Sequence, residues 1–241
     1  MGAALLLAAT APASGEGVCA PAGATTSTVA ASSSAAPIRT LIGHRLRGAA
    51  APEAPQPDAP RSIAVGVPWH GRLEHGVQLP AAGTDFVTWD PILRVSPNRE
   101  WRRWGTDALV VLLDTVTRQF REAHPDVPPI LIADLSRPKG GPFGPRYGGL
   151  GHDSHQNGLD ADVMYPRRDR APLAALRPEQ VDRALAQDLV DRFRAAGAVK
   201  LFVGPHLHLH GPRGVVVALV HHDDHVHVRI ANPGRSAPSP P

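Results

Sequence analysis

The sequence predicts an α+β domain: a small, mostly antiparallel sheet with flanking helices. Two stretches show helical periodicity, while five short stretches read as strands. The two kinds interleave within one region, residues 61–231. Hydrophobic residues make up 42% of the 241-residue chain and charged residues 20%, enough for a folded core. Only 5% are aromatic, so that core must rest on Val, Leu, Ile and Ala. Few helices among many short strands favour a mixed sheet domain over a helical bundle.

The first helix is predicted over residues 107–123. Leu109, Val110, Leu113, Val116, Thr117 and Phe120 share one helical face, and Thr106 is placed to cap its N-terminus. Pro128-Pro129 ends that region, and 130–135 then reads as a buried strand. Residues 139–151 hold Gly140, Gly141, Gly148, Gly149 and Gly151 and read as a loop. They lack the Lys-Ser/Thr ending of a phosphate-binding loop. Residues 159–165 alternate as a strand. Pro178 is expected to open the second helix, with Val181, Leu185, Leu189, Val190 and Phe193 inside and Gly197 at its end. Strands follow over 199–203, 215–220 and 226–230.

Outside that region the composition changes. Residues 1–13 contain the apolar run Ala3 to Ala11 and the small-x-small step Ala11-Pro12-Ala13, the pattern of a secretory signal peptide. The run is too short to span a bilayer, so stable membrane insertion is not expected. Residues 14–60 are rich in Ala, Ser, Thr and Pro and cannot bury enough apolar surface to offset ordering entropy, so they read as a linker. Residues 232–241 read as a disordered tail. This organisation predicts an exported, periplasmic or otherwise extracytoplasmic protein. The net charge of +3 suits an anionic partner, but no Lys/Arg run with interleaved aromatics occurs, so nucleic acid is not expected. The single Cys19 excludes an intrachain disulfide and a thiolate cluster, leaving His and carboxylates for any metal.

Nine of the thirteen histidines lie between His152 and His227. One cluster reads Gly151-His152-Asp153-Ser154-His155-Gln156-Asn157-Gly158-Leu159-Asp160-Ala161-Asp162. The other reads His222-Asp223-Asp224-His225-Val226-His227-Val228-Arg229. A catalytic zinc takes three protein ligands from His, Asp or Glu and keeps one position open. On a strand, residues two apart share a face, so His225 and His227 can point into one site while Val226 and Val228 face the core. Gly158 permits a turn before a strand carrying Asp160 and Asp162 on one face. A His and an Asp from the first segment can thus meet a His from the second.

Together these clusters resemble the penicillin-insensitive murein endopeptidases, part of a larger group with lysostaphin, D-Ala-D-Ala carboxypeptidases and the hedgehog zinc domain. The group shares a His, six intervening residues, an Asp, and a later His-x-His. His155, Asp162 and His225-Val226-His227 have that pattern. The murein endopeptidases add histidines three before each part, matched by His152 and His222. The stretches 62–80 and 134–141 also look like family blocks, and the resemblance runs over about 62–230; some members carry several cysteines that this domain lacks.

The resemblance implies one zinc per chain on the sheet face, held by His155, Asp162 and His227. It implies His225 as general base, with His222 and His152 close to the substrate. It implies hydrolysis of peptidoglycan cross-bridges at D-alanyl to meso-diaminopimelyl bonds, with peptidoglycan peptides as partners. The residues agree on one point independently. No His-Glu-x-x-His motif occurs and the last glutamate is Glu179, so a His base remains within reach of the second cluster. Its ordinary pKa near 6.5 suits proton transfer at neutral pH. Asp160 reads either as an orienter of a ligand imidazole or as a strand-face residue. Arg229 is expected to bind a substrate carboxylate, and Arg137 either binds one or solvates the surface. His206, His208 and His210 would share one strand face, read as an exposed edge rather than a second zinc site. Two other functions fit the same residues: a D-Ala-D-Ala-type carboxypeptidase or dipeptidase, and a non-catalytic zinc-containing wall-binding module. The missing Glu base weighs against the former and the complete histidine set against the latter.

Overall fold

The computed structural model describes residues 61–144 and 152–234. The signal-like segment, the linker with Cys19, Gly148, Gly149, Gly151 and the tail from residue 235 lie outside the described residues. Among the described residues, no helix is long and apolar enough to cross a membrane.

The chain opens with a hairpin of β1 (Ile63–Val67) and β2 (His70–Glu74), followed by the short strands β3 (Val77–Gln78), β4 (Phe86–Thr88) and β5 (Trp104–Gly105). Helix α1 spans Asp107–Ala123, as its periodicity predicts, and Thr106 caps it by accepting a hydrogen bond from the Leu109 amide. Its buried face holds Leu109, Leu112, Leu113, Val116, Thr117 and Phe120. Leu112 joins that face from its other flank, while Val110, expected inside, is only partly buried at the edge of the core. Strands β6 (Ile130–Ile132) and β7 (Asp160–Met164) follow.

Pro178 opens a 3-10 turn, Pro178–Gln180, and not the second helix. Val181 is extended and bridges to Arg167, so helical geometry cannot pass through it. Helix α2 starts afresh at Arg183 and runs to Ala195, with Asp182 accepting from the Leu185 amide. Gly197, at φ +97°, lets the chain leave the helix directly into β8 (Ala198–Val203). Strands β9 (Val216–Ala218) and β10 (His225–Ile230) complete the fold.

Six strands form the main sheet in the order β4-β6-β7-β10-β8-β9. The inner pairings β6–β7, β7–β10 and β10–β8 are antiparallel; the outer pairs β4–β6 and β8–β9 are parallel. The outer strand β4 joins β6 through α1, the crossover that a parallel pair requires. Both helices contribute to one core with Ala161 and Val163 of β7, Leu201 and Val203 of β8, and Val226, Val228 and Ile230 of β10. Because strand side chains alternate, the same strands must aim Asp160, Asp162, Phe202, His225, His227 and Arg229 to the opposite face.

Candidate metal centre and its cavity

The register of β7 on β10 builds the site. His227 pairs with Asp162, and Arg229 with Asp160. The first cluster reaches this face through a turn in which Gly158 has φ +75°; a Cβ there would lie 3.1 Å from the Thr106 amide nitrogen. His155 itself has φ +66°, an uncommon conformation for a residue with a side chain, and is almost wholly buried.

Three ligand-type atoms converge. His155 Nε2 lies 3.3 Å from Asp162 Oδ1, His227 Nδ1 lies 3.1 Å from the same oxygen, and the two nitrogens are 3.2 Å apart. The partners of the other ring nitrogens bear on where the protons sit. His155 Nδ1 donates to the Leu135 carbonyl at 3.1 Å, which leaves Nε2 with its lone pair. His227 Nε2 faces Asp160 Oδ2 at 3.5 Å, so a neutral ring with its proton on Nε2 has Nδ1 free. Asp162 Oδ1 is buried and has no hydrogen-bond donor among the described residues. With both rings neutral, three lone pairs face one another, an arrangement that repels unless a cation, a proton on His227 or a metal ion, sits among them. Bonds of about 2.0–2.2 Å at tetrahedral angles place zinc ligands roughly 3.3 Å apart, close to these separations. The residues fit a metal ion.

His152, His155 and Asp162 form an overlapping group whose ligand atoms lie within 4.8 Å of one another. His152 is the looser member, its Nδ1 being 3.7 Å from Asp162 Oδ2. The set with His227 is the tighter one, and it contains the unpartnered oxygen.

The surrounding groups explain the charge state. Asp162 is held well below the usual carboxylate range: burial opposes ionisation, but His155, His225 and His227 outweigh it. Burial likewise opposes the charged form of His227, yet Asp160 and Asp162 raise its pKa to about 9. With no metal ion, a proton on His227 is the cation these carboxylates attract. His155 is lowered, chiefly by burial.

Asp160 resolves in favour of orienting. It takes two bonds from the Arg229 guanidinium, at 2.7 and 3.0 Å, and one from the His155 amide at 3.1 Å, and it faces His227. Arg229, expected to hold a substrate carboxylate, gives its forked donors to Asp160 instead. Its guanidinium also lies 5.7 Å from the Trp69 ring.

His225 donates Nδ1 to Asp224 at 2.7 Å and turns Nε2 toward Asp162 Oδ1, 3.6 Å away. Burial lowers its pKa, but Asp162 and Asp224 dominate and raise it. His222 donates Nδ1 to the Val220 carbonyl at 2.8 Å, and burial lowers its pKa. The histidines line a cavity of about 890 Å³, with Trp69, Met164, Phe202, Leu219 and Val220 supplying apolar walls.

One further expectation changes. His206, His208 and His210 do not share a strand face: Pro205–Leu207 is a 3-10 turn and His208 has φ +57°. Pro205 at its start and the return toward β9 turn this stretch into a connection. Asp223, in the bend before β10, accepts from the His206 backbone and pairs with its ring at 2.7 Å. The sequence reading also left Arg102, Asn98 and the Asp134 side chain without a role, although Asp134 begins one of the family-like blocks.

A family model described as penicillin-insensitive murein endopeptidase matches residues 64–208. The match contains the first histidine cluster and ends before the second. No curated protein matches the chain.

Proposed function

From the chain's membership of the penicillin-insensitive murein endopeptidase family, we propose that it is an extracytoplasmic zinc peptidase cutting D-alanyl to meso-diaminopimelyl bonds in peptidoglycan cross-bridges. The observation that carries the metal assignment is the triangle of His155, Asp162 and His227, whose central oxygen lacks a donor. In this reading those three residues hold one zinc ion per chain. Bound there, zinc supplies Lewis acidity and makes hydroxide available near neutral pH.

The remaining groups handle protons and position. Asp224 fixes His225 with its Nε2 toward the cavity, where it takes a proton from water and returns it to the leaving amine. The Val220 carbonyl fixes His222 in the same sense, so its Nε2 faces the substrate backbone. His152 also lines the cavity, beside Asp162. Trp69, Leu219 and Val220 at the rim limit water around the peptide. No covalent intermediate on a serine is involved, so β-lactams that acylate serine leave the enzyme active.

The test pairs metal content with digestion of purified cross-linked muropeptide dimers, for the native chain and His227→Ala. One zinc per chain, dimers converted to monomers, and loss of both in the variant are expected. Cleavage of free D-Ala-D-Ala with dimers left intact would move the activity to a dipeptidase. Bound zinc with neither substrate cleaved would leave a wall-binding role.

A further inference from the structure

Two consecutive residues, Asp134 and Leu135, each hold one histidine of the first cluster, and they do so through opposite ring nitrogens. The Leu135 carbonyl accepts from His155 Nδ1 at 3.1 Å. The Asp134 carboxylate accepts from His152 Nε2 at 2.8 Å. These residues continue β6 alongside β7, where the Asp162 amide donates to the Asp134 carbonyl at 2.9 Å. The segment is thus fixed to the strand that carries Asp162.

Asp134 is itself held firmly. Its side chain is wholly buried, and so is that of Arg102, which grips both carboxylate oxygens. Asn98 Nδ2 adds a third donor at 2.9 Å. Burial alone would favour the neutral acid, but Arg102 and His152 bring its pKa down to about 2. An ionised carboxylate can only accept, so the shared proton belongs to His152 Nε2. On the neutral ring Nδ1 is then the acceptor, 3.7 Å from Asp162 Oδ2 and on the cavity wall.

We propose that Arg102 and Asp134 are positioning residues that lock His152 in its Nε2–H tautomer, so that Nδ1 accepts a hydrogen bond from a substrate N–H beside Asp162. The inference rests on the endopeptidase reading for the identity of the substrate, but not for the tautomer. Phe143 packs edge-on against the His152 ring at 5.2 Å and restricts its rotation, so the choice of nitrogen depends on Asp134. A buried ion pair of this kind is weak evidence for stability. Its use here is to present a fixed acceptor dipole to one ring.

The test is nitrogen NMR of the imidazoles in the full, zinc-loaded chain, assigned with His152→Gln. His152 protonated on Nε2 is expected. A proton on Nδ1 in the native protein would overturn the proposal without touching the endopeptidase reading. Asp134→Asn should release the tautomer preference and lower kcat/KM by roughly 10- to 100-fold. In the His152→Gln background, where the side-chain amide still meets Asp134 but Nδ1 is gone, adding Asp134→Asn should cost less than about twofold, because the two residues act as a unit. Fully additive losses would mean that Asp134 acts on the fold alone. Arg102→Lys keeps a cation beside Asp134 and should retain the native tautomer; a switched tautomer there counts against the proposal.

Discussion

On one face of β7 and β10, Ala161, Val163, Val226 and Val228 are wholly buried among the residues of α1 and α2. On the other face of the same strands, Asp160, Asp162, His225, His227 and Arg229 crowd charge and lone pairs together. Neighbouring residues thus do opposite things. The apolar face gains free energy from burial and close packing. The polar face holds His155, Asp162 and His227 within 3.3 Å of one another, an arrangement that needs a cation among its acceptors, either a proton on His227 or a metal ion in its place. The contrast teaches that the helix-facing side secures the fold by apolar packing, so the other side is free to carry a cluster of charge.

The sharpest way to break this contrast is Asp162→Asn. It removes the oxygen charge shared by both histidines and supplies N–H donors in its place. Bound zinc and muropeptide cleavage should both fall to background. The metal-free protein should unfold only slightly below the native temperature at neutral pH, because the protonated His227 gives up one of the two carboxylates that raise its pKa and keeps Asp160. A drop of several degrees in the metal-free Tm would show that the polar face also carries the fold.

The converse variant is Val228→Ala, one residue along from His227 and facing the helices. Truncating a fully buried valine should destabilise the domain by about 2 kcal/mol, read as a lower urea midpoint at unchanged slope. Zinc stoichiometry and kcat should hold, since the backbone that carries His227 is paired on both sides by β7 and β8. Loss of zinc at full folding would mean that the two faces are not separable.

The division between faces was readable from the chain because it depends only on alternation. Val226 and Val228 against His225 and His227 mark two sides of a strand wherever that strand sits, and Asp160 and Asp162 do the same. Helix α1 was equally readable, since its cap and apolar spacing are local. What sequence could not supply was long-range pairing. Arg102 lies 32 residues from Asp134, and nothing in Trp101-Arg102-Arg103-Trp104 signals that one arginine is wholly buried while its neighbour bonds the Leu79 carbonyl. The pairing of Arg229 was hidden for a related reason. A lone arginine beside a motif suggests a free fork, but cross-strand register places Asp160 opposite it. The start of α2 was misplaced because Pro178 is a good first helical residue in isolation, and only the bridge from Val181 to Arg167 forbids continuation.

The smallest expected effect concerns the histidines outside this sheet face. His206 pairs with Asp223 at 2.7 Å, but 72% of its side chain is exposed, and the stretch to His210 turns instead of running as a strand. An exposed pair of this kind contributes about 0–1 kcal/mol. Asp223 also accepts from the His206 backbone, a bond that survives loss of the ring. The triple variant His206→Ala, His208→Ala, His210→Ala should therefore keep one zinc per chain, cleave dimers at the native rate and shift the urea midpoint only slightly. Metal content separates this from the alternative. A fall below one equivalent would place a ligand in the connecting loop and not between the strands, because His155, Asp162 and His227 are untouched by these changes. Zinc held at one equivalent with slower cleavage would instead implicate the loop's contact with the neighbouring His222-Asp223 turn in orienting substrate.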